Sequence, residues 1–136
     1  MRSPRNVAIL IFDDVEVLDF SGPYEVFNVA SEATDPPPFY VYTVGISDKP
    51  ILARGRFVVT PRYSISNCPQ ANILIIPGGY GTRPLINHET LIKWLQDQAG
   101  KPADRRDSRI RKDYASKFPS FVPKAGAQDS HDRGDL

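Results

Sequence analysis

The chain is almost without sulfur: among its 136 residues there is one cysteine, Cys68, and one methionine. A single thiol excludes an internal disulfide framework and fits a reducing, cytoplasmic setting. Long apolar runs are missing too. None approaches the ~18 residues that a membrane-spanning helix needs, so no membrane partner is expected. The start, Met1-Arg2-Ser3-Pro4-Arg5-Asn6, leads into only six apolar residues before Asp13-Asp14. A secretory leader has a longer apolar core and a small-residue cleavage site. The two histidines, His88 and His131, lack ligand spacing, so neither a metal nor another cofactor is expected. There is no Gly-x-Ser-x-Gly elbow, phosphate loop, dinucleotide fingerprint or internal repeat. Charge of one sign is also scarce. Residues 1–100 carry 8 basic and 10 acidic side chains, net −2, and residues 101–136 carry 9 and 6, net +3. Arg105, Arg106, Arg109, Arg111 and Lys112 form a basic patch, but aspartates interrupt it and no aromatic platform accompanies it, which argues against a nucleic-acid partner.

What is present is strong punctuation. The run Ala71-Asn72-Ile73-Leu74-Ile75-Ile76-Pro77 is apolar and β-branched, the pattern of a strand buried on both faces. Pro77 stops it, and Gly78, Gly79 and Gly81 follow. That puts a turn with accessible backbone N–H groups at the carboxyl end of a strand, where open α/β sheets bind ligands. Val7–Phe12 is a second continuous apolar run, read as an interior parallel strand that ends in the acidic loop Asp13-Asp14-Val15-Glu16. A helix is expected after Ser21, with Ser21 as cap, Pro23 in its first turn, and Val26, Phe27, Ala30 and Ala33 on one face. Asp35-Pro36-Pro37-Pro38 ends it. Phe39–Val44 reads as a strand, and Ile51–Ala53 with Phe57–Thr60 as a short hairpin-like pair around Arg54-Gly55-Arg56. A further helix is expected from an Asn87 cap, with an Ile86–Leu91 staple and Leu91, Trp94, Leu95 and Gln98 in period, stopping at Gly100. Strands alternating with helices over residues 6–100 indicate one α/β domain with a largely parallel sheet.

Composition changes after Gly100. Among residues 101–136 only Ile110, Phe118, Phe121, Val122 and Leu136 are Leu, Ile, Val or Phe. So little apolar surface cannot offset the entropy of ordering, and a charged, disordered tail is expected.

Val7–Phe12, the segment Asp13 to Phe27, and the segment Cys68 to Gly81 together resemble the ThiJ/PfpI superfamily of the class I glutamine amidotransferase-like fold. The stretch Leu18-Asp19-Phe20-Ser21-Gly22-Pro23-Tyr24-Glu25-Val26-Phe27 is similar to the isonitrile hydratase-like branch and to the amidase-like sensor domains of AraC-type regulators. The likeness spans roughly residues 6–99. It implies a flavodoxin-like three-layer α/β sandwich with a mostly parallel sheet, usually dimeric, acting on or sensing a small molecule. It also implies a site of three elements: an acid after the first strand, matched by Asp19; a Pro-Gly-Gly turn, matched by Pro77, Gly78 and Gly79; and a cysteine on a strained strand-to-helix turn. The third has no match here, because the sequence departs from the family pattern just after the 87–99 helix.

The chemistry needs all three. A thiolate attacks well only when local dipoles and charge lower its pKa. A neighbouring carboxyl can hold or deliver a proton, and backbone N–H groups stabilise developing negative charge. Asp19, flanked by Leu18 and Phe20, is therefore either a site acid or an ordinary helix-start carboxylate. Gly78 and Gly79 are either a binding turn or merely a tight one. Cys68 precedes the strand, at the sheet end opposite the glycines, and is not a candidate nucleophile. The expectation is an amino-terminal domain portion, residues 1–100, with an incomplete sheet and no activity of its own. Residues 101–136 then read either as an out-of-frame ending or as a natural short variant that completes its sheet by dimerising or by using a partner chain.

Overall fold

The computed structural model describes residues 4–100 and 122–123. A five-stranded sheet is accompanied by a separate two-stranded ribbon. Its strands are β1 (Arg5–Leu10), β2 (Phe39–Gly45), β5 (Tyr63–Ser64), β6 (Ile73–Ile75) and β7 (Val122–Pro123). The ribbon is β3 (Ile51–Ala53) and β4 (Phe57–Val59). The helices are α1 (Val17–Glu32), the single turn α2 (Thr82–Leu85) and α3 (Glu89–Gly100). β1 pairs parallel with both β2 and β6, β2 pairs parallel with β5, and only β7 runs antiparallel. This is the mostly parallel α/β sheet read from the sequence.

β1 lies between two parallel neighbours, so both of its faces need apolar residues. Val7 to Ile11 are completely buried. Helices cover the two faces separately. On β2, Phe39 and Tyr42 point to opposite sides, since successive strand residues alternate. Phe39 stacks edge-on with Phe27 of α1, ring centroids 4.8 Å apart, and its carbonyl accepts a hydrogen bond from Ser31 Oγ. Tyr42 donates its hydroxyl to the Pro69 carbonyl at 2.8 Å, in the corner where Cys68 and Trp94 of α3 join the core. Helix, sheet and helix thus form three layers.

Two helix starts differ from the sequence reading. α1 begins at Val17, and Ser21 lies inside it, with its Oγ donating to the Val17 carbonyl. Pro23 is tolerated in the interior because it removes a single helical donor, while Phe20 and Phe27 anchor the helix to the core. The buried side is therefore the Phe20–Phe27–Ser31 side. Val26 and Ala33, expected inward, are exposed. α3 starts at Glu89 with its cap one residue beyond the expected Asn87: His88 Nδ1 accepts the Leu91 N–H at 3.2 Å, and Ile86 is exposed rather than stapled to Leu91. Leu91 and Leu95 are buried, Trp94 packs against the core, and Gln98 Oε1 accepts the Ala71 N–H, as the periodicity implied.

β6 is shorter than the apolar run 71–77, because only Ile73, Leu74 and Ile75 face Val7, Ala8 and Ile9 of β1. Pro77 and Ile76 are nonetheless buried. Most of residues 101–136, for which disorder was expected, lies outside the described residues. Val122 and Pro123 are described, and they pair antiparallel with Leu74 and Ile73.

Candidate functional site

The chain leaves β1, crosses through α1 to β2 on one flank, and later returns as β6 on the other flank of β1. Strand order therefore reverses between β1 and β6, and a crevice opens at their carboxyl ends. Two loops meet there: Asp13–Glu16 after β1, and Pro77–Gly81 after β6. They are laced together by an isolated antiparallel bridge between Val15 and Gly79 and by the Glu16 N–H donating to the Gly78 carbonyl at 3.0 Å.

Asp19 is in the first turn of α1, half-buried, and its Oδ2 accepts the Gly78 N–H at 3.1 Å. The structure thus brings together the acid and the glycine turn, 59 residues apart in sequence. It also reveals something the sequence did not: the Gly78 N–H, expected to face a reacting centre, is held by Asp19 itself. Backbone geometry explains the glycines. Gly79 has φ of 137°, a region closed to most side chains, and a Cβ there would strike the Asp14 carbonyl. At Gly81 a Cβ would strike the Asp13 carbonyl and come within 2.8 Å of the Phe12 ring. Glycine lets the turn lie directly on the end of β1. The turn is closed by Thr82, whose Oγ1 and N–H both reach the Gly79 carbonyl at 2.8 and 3.2 Å.

Sequence reading missed how the ribbon buttresses this site. Asp13 Oδ1 accepts the Leu52 N–H at 2.9 Å, the Asp14 N–H donates to the Leu52 carbonyl, and the Arg54 N–H donates to the Val15 carbonyl. Arg54 also forms an ion pair with Glu16 at 2.6 Å. The acidic loop is a docking rail for β3 even though Asp13 and Asp14 stay exposed; the available signal was its tight spacing after a buried strand.

Cys68 is elsewhere. Its N–H donates to the Ser64 carbonyl, and its side chain is beside Trp94 and Tyr42, where the chain enters β6 rather than where it leaves. Burial pushes the thiol above its ordinary range, the opposite of nucleophile activation. Burial likewise raises the Tyr42 phenol, with Cys68 adding to it. Among the described residues no three His, Cys, Asp or Glu side chains are grouped to hold a metal ion. His131 and the arginines of 105–111 lie outside the described residues. Among the described residues no helix is long and apolar enough to cross a membrane.

A parallel-sheet crevice with an acid bound to a glycine turn defines the class, and comparison specifies it. Residues 5–103 match the DJ-1/PfpI family, and the chain belongs to that family. It is 26% identical over 95 residues to the isonitrile hydratase of Pseudomonas putida, covering 70% of this chain and 39% of that protein. A ThiJ/PfpI family protein from Pseudomonas syringae shares the fold with a TM-score of 0.63 at 21% identity, over 71% of this chain and 38% of that one. A transcriptional regulator protein from Vibrio parahaemolyticus, described as putative, superposes with a TM-score of 0.59 at 23% identity, over 74% of this chain and 54% of that one. The chain therefore spans well under half the length of the hydratase it matches.

Proposed function

We propose that residues 1–100 are the amino-terminal part of an isonitrile hydratase-like domain, carrying its acid and its glycine turn but no attacking thiol. The observation that carries this reading is the Asp19 Oδ2 to Gly78 N–H hydrogen bond at the junction of β1 and β6. Likeness to the Pseudomonas putida hydratase supports the reaction class. In such a reaction the acid gives its proton to the isonitrile carbon while a thiolate or water adds to that carbon; water displaces the thiolate where one has added, one water proton returns to the acid, and tautomerisation leaves an N-substituted formamide. Asp19 is the proton donor in this reading, and the turn's N–H groups orient it and the substrate. Cys68 takes no part, because it is at the other end of β6 and its thiol is disfavoured as thiolate. This chain alone is then a binder, not a catalyst, in a cytoplasmic, homodimeric setting.

An assay with a simple alkyl isonitrile tests this directly. No turnover is expected, while the corresponding N-alkylformamide shifts the Gly78 amide resonance, and Asp19→Ala abolishes that shift. Turnover that Asp19→Ala removes would overturn the inactivity, and a Gly78 resonance unmoved by either molecule would overturn the site.

A second reading is a non-catalytic ligand sensor, like the amidase-like domains of AraC-type regulators. It is favoured by the Gly78 N–H being already satisfied by Asp19, an arrangement that suits recognition without chemistry. A helix-turn-helix pair encoded downstream would favour it over the hydratase reading.

A further inference from the structure

Beside the acid–glycine site, on the other side of Gly81, there is a second concavity of about 350 Å³ that neither Asp19, Gly78 nor Gly79 lines. That volume falls at the small end of the ~300–1,000 Å³ typical of ligand pockets. Its base is apolar: Phe12 and Leu85 are buried, and Ile46 is half-buried. Its walls are stiff. Pro50 and Pro84 have fixed φ, and Gly81 lies close against the Asp13 carbonyl, which limits the ways these walls can move.

The lining also includes two opposite charges, from separate segments. Asp13 stands at the end of β1, with one carboxylate oxygen fixed by the Leu52 N–H at 2.9 Å. Lys49 stands in the β2–β3 connection, where its own N–H turns back onto Ser47 Oγ. Among the described residues neither side chain takes part in an ion pair. An apolar base with one anchored carboxylate and one ammonium complements a small molecule with an apolar part and both charges. The carboxylate takes a cationic amine and the ammonium takes an anionic carboxylate, each as a charge-assisted hydrogen bond.

We propose that this pocket binds a small zwitterion with an apolar side chain, of the α-amino acid class. The apolar side chain sits on Phe12, Ile46 and Leu85, the amino group meets Asp13, and the carboxylate meets Lys49. The pocket shares the Asp13 and Gly81 loops with the acid–glycine site but none of Asp19, Gly78 and Gly79, so its test does not depend on the hydratase-like reading.

The test is a titration of the full ¹⁵N-labelled chain with L-leucine, alongside 4-methylpentanoate and 3-methylbutylamine, which each lack one charge. L-leucine should shift the amides of Gly81, Ile46, Ser47 and Ile51 with a dissociation constant of about 1 mM or tighter. Each one-charge analogue should bind at least about tenfold more weakly, as should L-leucine to Lys49→Gln or Asp13→Asn. Asp13→Asn keeps an oxygen for the Leu52 N–H, so the fold is retained. No shift at about 10 mM, or equal binding of either analogue, overturns the proposal. So does undiminished binding to both variants.

Discussion

At the scale of single residues, the site is decided by what glycine leaves out. Gly81 has ordinary helical dihedrals, φ −64° and ψ −12°, so its need for glycine is purely spatial. Replacing it with alanine places a methyl group into the Asp13 carbonyl and the Phe12 ring, and overpacking of that kind costs about 2–3 kcal/mol. Gly22 is the contrast. It lies within α1, and a Cβ added there would meet nothing within 4 Å, so Gly22→Ala should stabilise by about 0.5–1 kcal/mol through helix propensity alone. Urea midpoints followed by circular dichroism should move in opposite directions for the two variants. Both midpoints falling would mean that Gly22 has a packing role the structure does not contain. The spacing Gly78-Gly79-Tyr80-Gly81 signalled a turn. It did not distinguish the position with positive φ, Gly79, from the one lacking only room, Gly81.

At the scale of elements, helix ends were the least legible feature. Both Asn87 and His88 can cap a helix, and only the tertiary position of Leu91 in the core selects the second. His88→Ala should cost about 0.5–1 kcal/mol, the ordinary worth of a lost cap, while His88→Asp retains an acceptor and should cost less. Amide exchange at Leu91, whose N–H the imidazole receives, reads this directly: it should speed in the alanine variant only. Exchange unaffected by either substitution would reassign the cap to Asn87. α1 was mis-started for a related reason. Ser21 and Pro23 carry a genuine start signal, but Phe20 must reach the core, and that pulls the helix back to Val17. The strands were read more closely, because continuous burial on β1 and β6 leaves a run of apolar residues that few other structures require.

At the scale of the whole molecule, the helix face that α1 turns outward bears on assembly. Leu18, Val26 and Val29 lie along one stripe of it and are 81%, 67% and 54% exposed. Apolar area of this kind on a helix is a common mark of association. Sedimentation equilibrium should show concentration-dependent dimers, and Leu18→Glu with Val29→Glu should leave monomers with an unchanged circular dichroism spectrum. A wild-type chain that is monomeric up to its solubility limit would remove the dimer from the functional reading. The sequence by itself determined the layered α/β class and the central burial of β1 and β6, while the acid and glycines of the candidate site were proposed from the family resemblance. It could do so because burial on two faces and conformational exclusion each leave a compositional trace within a few consecutive residues. Only the tertiary structure decided that Asp19 holds the Gly78 N–H, that Asp13 docks the β3–β4 ribbon, and that a pocket opens beside Gly81. Those contacts join segments tens of residues apart, and their distances are set by strand register and loop path, which no local pattern of residues encodes.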